Sequence, residues 1–204
     1  DGVSLWSDVI RQFQHVPIAY NNRGVDYYRQ KQYDLALPDF NKAIQLQPDY
    51  SWAYLSRGAV YEVQHENDRA LQDYNKAIAL NPVFTDAYLN RGNFFKAQGK
   101  ISEAIKDYTQ LLSINPSVLE AYVNRGYLYM NHGQLNEAVA DYSKAIELNP
   151  DYAIAYFNRG QILNKQNRQT AAIDDFSKVI ELNPNDAEAI YFRGIAYYTT
   201  GNKI

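Results

Sequence analysis

Four asparagines share one frame of this chain. Asn22, Asn90, Asn124 and Asn158 each lie two residues before a glycine, with Ser56 filling the gap and Phe192 ending the row. An asparagine side chain carries both a donor and an acceptor. A row of them can therefore pair with the N–H and C=O of an extended peptide whatever its sequence, or serve locally by satisfying a neighbouring backbone group. A second set is charged. Arg23, Arg57, Arg91, Arg125 and Arg159 are each followed sixteen residues later by Asp39, Asp73, Asp107, Asp141 and Asp175. A buried Arg is tolerable only when paired, and Asp matches its fork bidentately. The spacing predicts an ion-pair ladder within or between adjacent repeats rather than an anion site.

Groups suited to catalysis are scattered. His15, His65 and His132 fall in unlike frames without metal spacing. Asp174 and Asp175 are neighbours in sequence, and adjacent helical residues do not face one another. No phosphate loop, nucleophile elbow or metalloprotease motif occurs. The 204 residues contain no Cys, which removes disulfide scaffolds, Cys-zinc sites, iron–sulfur clusters and thiol nucleophiles. The expectation is a chain that is not an enzyme and needs no metal or cofactor. With 20 Lys+Arg against 23 Asp+Glu, no uncompensated basic face is on offer for nucleic acid or anionic lipid. Hydrophobic residues make up 46% and charged residues 21%, which argues for a folded core. No apolar run approaches the roughly 18–20 residues of a membrane span, and no signal-peptide pattern is present. The chain reads as soluble. The lack of Cys does not fix the compartment, and a cytoplasmic location is the default.

The elements that must position these residues are set by repetition. Arg-Gly recurs at Gly24, Gly58, Gly92, Gly126, Gly160 and Gly194, every 34 residues. Pro48, Pro82, Pro116, Pro150 and Pro184 keep the same frame, as do Ala36, Ala70, Ala104, Ala138 and Ala172. Aromatics recur at Phe40, Tyr74, Tyr108, Tyr142 and Phe176, and at Tyr20, Tyr54, Tyr88, Tyr122 and Tyr156. Much of the excess of 19 Tyr is thereby explained. Within each repeat the apolar spacing is helical twice over. Gly99, Gly133 and Gly201 predict the end of the first helix. Asp34, Asp68, Ser102, Asn136 and Thr170 are expected as N-caps of the second, which a following Pro ends. Arg-Gly permits close helix crossing, which must offset the roughly 1 kcal/mol that a helical Gly costs. Pro38 falls inside a second helix and is expected as a tolerated kink.

The pattern Tyr-x2-Arg-Gly-x2-aromatic, Ala-x3-aromatic, then Pro, over 34 residues, closely resembles the tetratricopeptide repeat (TPR) family. The resemblance covers residues 17–204 and departs in carrying Tyr where the family often has Trp, and Arg where it often has Leu. It implies an all-α TPR solenoid, a right-handed superhelix of antiparallel helix pairs. The frame gives repeats at 17–50, 51–84, 85–118, 119–152 and 153–186, with a partial sixth at 187–204. Residues 1–16 read as an N-terminal cap helix or a degenerate repeat. The inner face of the sixth repeat (Ile190, Tyr197, Tyr198) would be bare in a monomer.

In the family the first helices line the concave face, so the resemblance puts the asparagine row in a groove. That row is similar to the asparagine ladder of the TPR superhelix in O-GlcNAc transferase, which holds peptides by their backbone. With helices about 8–10 Å apart and a strand rising about 3.3 Å per residue, one Asn would meet every third or fourth peptide residue. Beside it runs an apolar row, Leu55, Leu89, Val123, Phe157 and Tyr191, read either as inter-repeat packing or as a groove for apolar side chains. The second reading supposes that the row is not fully core. The candidate peptide-binding residues are Asn22, Trp52, Leu55, Leu89, Asn90, Asn93, Val123, Asn124, Tyr127, Phe157 and Asn158. Clasping an acidic C-terminal tail is disfavoured, because Leu89 and Ile154 stand where that class carries cations. The expected function is a non-catalytic protein-interaction scaffold that binds an extended or helical peptide. Self-assembly as a homo-oligomer through the C-terminal helix, or service as the targeting module of a larger enzyme, are the alternatives.

Overall fold

The computed structural model describes residues 2–201. Among them are twelve α-helices, α1 Gly2–Gln12, α2 Pro17–Arg29, α3 Tyr33–Leu46, α4 Ser51–Val63, α5 Asn67–Leu80, α6 Thr85–Ala97, α7 Ile101–Ile114, α8 Leu119–Asn131, α9 Leu135–Leu148, α10 Ala153–Lys165, α11 Gln169–Leu182 and α12 Ala187–Thr199. First helices (α2, α4, α6, α8, α10, α12) have 13 residues and second helices (α3, α5, α7, α9, α11) have 14. The chain forms two compact units, the first ending at Asp107 and the second beginning at Tyr108.

The turn inside each helix pair is controlled by one left-handed residue. Gly99, Gly133 and Gly201 have φ of +70 to +77°, as expected of glycines past a first helix, and Lys31, His65 and Asn167 hold the same register at φ 58–61°. This turn also corrects the capping expectation. The second helices open at Tyr33, Asn67, Ile101, Leu135 and Gln169, so Asp34, Asp68, Ser102, Asn136 and Thr170 are each the second helical residue. Gln32, Glu66, Gln134 and Arg168 take the cap position, and none makes a side-chain cap. The left-handed residue redirects the chain so that the very next carbonyl accepts the first helical bond, as Gln32 does from Ala36 at 3.1 Å. Asp34 and Asp68 remain in the first turn, where a carboxylate complements the helix dipole. At the far end Gln47, Asn81, Asn149 and Asn183 are extended, the conformation a following Pro imposes. Pro38 is exposed, and α3 runs through it without a break.

Packing follows the repeat markers. Ala36, Ala70, Ala104, Ala138 and Ala172 are fully buried, and so are the aromatics four residues on. Burying such a ring stabilises by about 1.5–3 kcal/mol. The Arg-Gly glycines lie against those rings. A Cβ on Gly24 would come within 2.7 Å of Phe40, one on Gly58 within 2.9 Å of Tyr74 and one on Gly160 within 3.0 Å of Phe176. The tyrosines four residues before Gly24, Gly58 and Gly92 add a tie, since Tyr20, Tyr54 and Tyr88 donate to the carbonyls of Gln14, Pro48 and Pro82.

The ion-pair ladder is present within each repeat. All five Arg–Asp pairs are bidentate at 2.7–2.8 Å. Burial pushes the Asp141 and Asp175 carboxyls upward against the pull of Arg125 and Arg159. A further nitrogen of the guanidinium reaches the preceding helix. Arg57 donates to Asn41, Arg91 to Asn75, Arg125 to Thr109, Arg159 to Ser143 and Arg193 to Ser177. Arg23 reaches Ser7 of α1 in the same way, so α1 stands to α2 as a second helix stands to the next first helix.

Candidate functional site

In the first unit, α2, α4 and α6 are all first helices and present one residue frame side by side. Between them lies a recess of about 410 Å³, lined by Asn21, Asn22, Val25, Tyr28, Arg29, Phe40, Trp52, Leu55, Ser56, Ala59 and Asn90. Four of the sequence candidates therefore come together here, Asn22, Trp52, Leu55 and Asn90. Leu89 and Asn93 are on the same helix as Asn90, both half-buried, and do not line it. Ser56 fills its place in the row and does line it.

The walls are mostly apolar. Trp52 is 46% exposed and packs edge-on against Phe84 with ring centroids 4.5 Å apart. Leu55, at 5% exposure, belongs to the buried cluster with Ala70, Tyr74, Phe84 and Phe94. Its side chain fills the space between adjacent repeats, so only its edge meets the recess. Burial raises the Tyr28 phenol above its ordinary value, helped by Tyr33 and Glu62. Arg29 stands at the recess with Asp26 3.5 Å away. Asn21 is buried at 4% exposure, and its amide donates to Asn22 Oδ1 at 3.4 Å.

In the second unit the candidates occupy equivalent places on α8 and α10. Val123 packs against the buried cluster around Tyr142, and Tyr127 is exposed. Asn124 is half-buried and has interactions of its own. Phe157 joins an aromatic set, 6.0 Å from Phe176 and 5.9 Å from Phe192. Asn158 lies beside the buried Tyr142 hydroxyl, short of full hydrogen-bond geometry. A small cavity of about 140 Å³ takes in Phe157 and Ile154, and neither Asn124 nor Asn158 lines it. Val123 and Phe157 thus take part in packing, and both readings of the apolar row stay open for them.

Sequence reasoning missed Asn21, Val25, Tyr28 and Ala59. The available signal was Asn21 itself, the one amide in a frame otherwise held by Leu55, Leu89, Val123, Phe157 and Tyr191. No group of His, Asp or Glu suited to a metal occurs among the described residues. No helix among them is long and apolar enough to cross a membrane.

The tetratricopeptide repeat model matches residues 17–50, 51–84 and 153–186, half of the chain. The chain belongs to the tetratricopeptide repeat family. Two further TPR models match residues 92–133 and 126–167, and residues 73–106. No curated protein matches the chain. Among solved structures it is similar to YrrB, a TPR protein with an unusual peptide-binding site, at 22% identity, TM-score 0.74, covering 93% of this chain and 97% of that one. It is similar to the C-terminal part of a TPR protein from Cytophaga hutchinsonii, at 22% identity, TM-score 0.78, covering 98% and 83%. A third likeness is to PilF of Pseudomonas aeruginosa, at 18% identity, TM-score 0.77, covering 91% and 85%. These show that the fold of this TPR protein is the all-α TPR solenoid. Its repeats are those of a protein-interaction scaffold.

Proposed function

We propose that this TPR protein binds an extended peptide segment on the face of its first helices. The observation that carries the reading is the meeting of Asn22, Ser56 and Asn90 with Trp52 in one recess of the first unit. The amides would hold the peptide backbone through their paired donor and acceptor, and the recess would take a side chain. A half-exposed Trp at the wall of a pocket is the kind of anchor that dominates recognition. In the second unit Val123, Asn124, Tyr127, Phe157 and Asn158, at equivalent repeat positions, would extend the proposal, as would Leu89 and Asn93 in the first. YrrB's peptide-binding site supports the reading by likeness of fold. The test is selection of peptides from a display library, repeated with Asn22→Ala plus Asn90→Ala. The double variant should keep its helical circular dichroism and lose the selected peptides. Undiminished binding would sink the proposal.

A second reading rests on the apolar surface of α12, where Ile190, Tyr191 and Tyr198 are exposed. Tyr197, expected to be bare with them, is half-buried. That face would join two copies. Light scattering over a concentration series should then show a rising mass, which Ile190→Glu abolishes. One monomer mass throughout would dispose of it.

A further inference from the structure

Two departures from the repeat pattern fall on the same recess. The first is Asn21, whose frame carries apolar or aromatic residues in every later repeat. The second is Trp52, whose frame holds Ile18, Asp86, Glu120, Ile154 and Glu188 elsewhere. Neither is needed to close the helix pairs, since the other repeats do without them. Asn21 is nearly inaccessible, and although its nitrogen donates to Asn22, its Oδ1 is buried with no hydrogen-bond partner. A buried acceptor left unpaired carries its full desolvation cost, and a donor reaching it from the recess that Asn21 lines would relieve that cost. Val25, Tyr28, Phe40, Trp52, Leu55 and Ala59 form its apolar walls. Asn22, Ser56 and Asn90 stand beside them for the peptide backbone. A phenol brings an aromatic body for the Trp52 side and one O–H for the amide oxygen. A volume of about 410 Å³ admits a tyrosine ring, and it sits at the small end of ligand pockets, which run from about 300 Å³.

We infer that this recess is a pocket for a tyrosine side chain of the bound peptide and that Asn21 selects tyrosine over phenylalanine. The inference rests on the peptide-binding reading above. Asn22 and Asn90 hold the backbone, whereas Asn21 reads the side chain. Discrimination follows because phenylalanine leaves the buried Asn21 oxygen unpaired, a loss worth about tenfold or more in affinity.

The probes are N-acetyl-tyrosinamide and N-acetyl-phenylalaninamide, titrated into isotope-labelled protein and followed by nuclear magnetic resonance. Tyrosinamide should bind about tenfold more tightly and move the Trp52 indole and Asn21 side-chain signals. Asn21→Leu, which places here the residue found at Leu55 and Leu89, should bring the two ligands within about twofold. Asn21→Ala is the second variant should the first fail to fold, with the same expected loss of preference. Equal affinities in the unaltered protein, a preference that survives both substitutions, or shifts that bypass Trp52 would each overturn the inference. Long peptides supply the separate check. If they bind without regard to tyrosine and still depend on Asn22 and Asn90, the pocket fails and the backbone-binding face stands. If tyrosinamide binds and no long peptide does, the peptide-binding reading is the one overturned.

Discussion

Arg57 grips Asp73 through two parallel hydrogen bonds, Nε to Oδ2 at 2.7 Å and Nη2 to Oδ1 at 2.8 Å. The aspartate is 5% exposed and the arginine 20%, and Asp73, first through its hydrogen bond, raises the guanidinium above its ordinary value. The same guanidinium lies over Tyr54 and Tyr61 and reaches back to Asn41. One side chain therefore joins both helices of its repeat to the second helix of the previous one.

Removing the acceptor leaves that charge without its partner. Asp73→Ala should lower stability by about 3–5 kcal/mol, read by urea denaturation. Arg57→Lys should also destabilise, because a point charge cannot reproduce a bidentate fork. A midpoint unchanged by Asp73→Ala would show the ladder to be idle.

The glycines make a paired prediction. Gly58→Ala would drive a Cβ to 2.9 Å from the Tyr74 ring, and overpacking of this kind costs about 1–3 kcal/mol. Gly194, also in a helix, has nothing within 4 Å of its Cβ position. Gly194→Ala should therefore gain up to about 1 kcal/mol from helix propensity. Thermal melts of the two variants should move in opposite directions.

Much of this was legible in the residues alone. The period, the helix pairs and the Arg–Asp partners followed from residue types that recur in one 34-residue frame. The third contact of each arginine did not, because its acceptors Asn41, Asn75, Thr109, Ser143 and Ser177 change type while keeping the same oxygen chemistry. The cap position was misread because the left-handed residue before it sets the helix start, and Lys31 and His65 do not advertise that conformation as Gly does. Asn21 escaped because its frame is defined by apolar residues. Leu55 answers to both readings of its row, buried between adjacent repeats and at the edge of the recess.

The left-handed turns yield a third prediction. Lys31→Gly and His65→Gly should each stabilise by about 1 kcal/mol, since a side chain in that conformation costs roughly 1–2 kcal/mol. Gly133→Ala should destabilise by a similar amount. Differential scanning calorimetry of these variants checks the sign, and a loss of stability in both Gly substitutions would refute the account of the turn.

Alkaline pH should weaken the fold. Burial raises Tyr28, Tyr50, Tyr74 and Tyr142 above the ordinary tyrosine value of 10.0, and the bond to Glu62 adds to the shift of Tyr74. A folded-state value above the unfolded one contributes stability that is intact below pH 10 and lost as pH rises through the folded value. Melting temperature should therefore fall once pH passes about 10, and Tyr142→Phe, which removes a buried hydroxyl without a full partner, should make the fall shallower. A flat profile to pH 11 would contradict the assignment.

The most direct test of the central claim is to map where a selected peptide touches the protein. A photo-crosslinking side chain at Trp52 should capture the peptide, and one at Pro38, exposed on a second helix, should not. Asn22→Ala plus Asn90→Ala should abolish the capture at Trp52 while the helices persist. Capture at Pro38 with none at Trp52 would contradict the account, because the peptide would then lie away from the first helices.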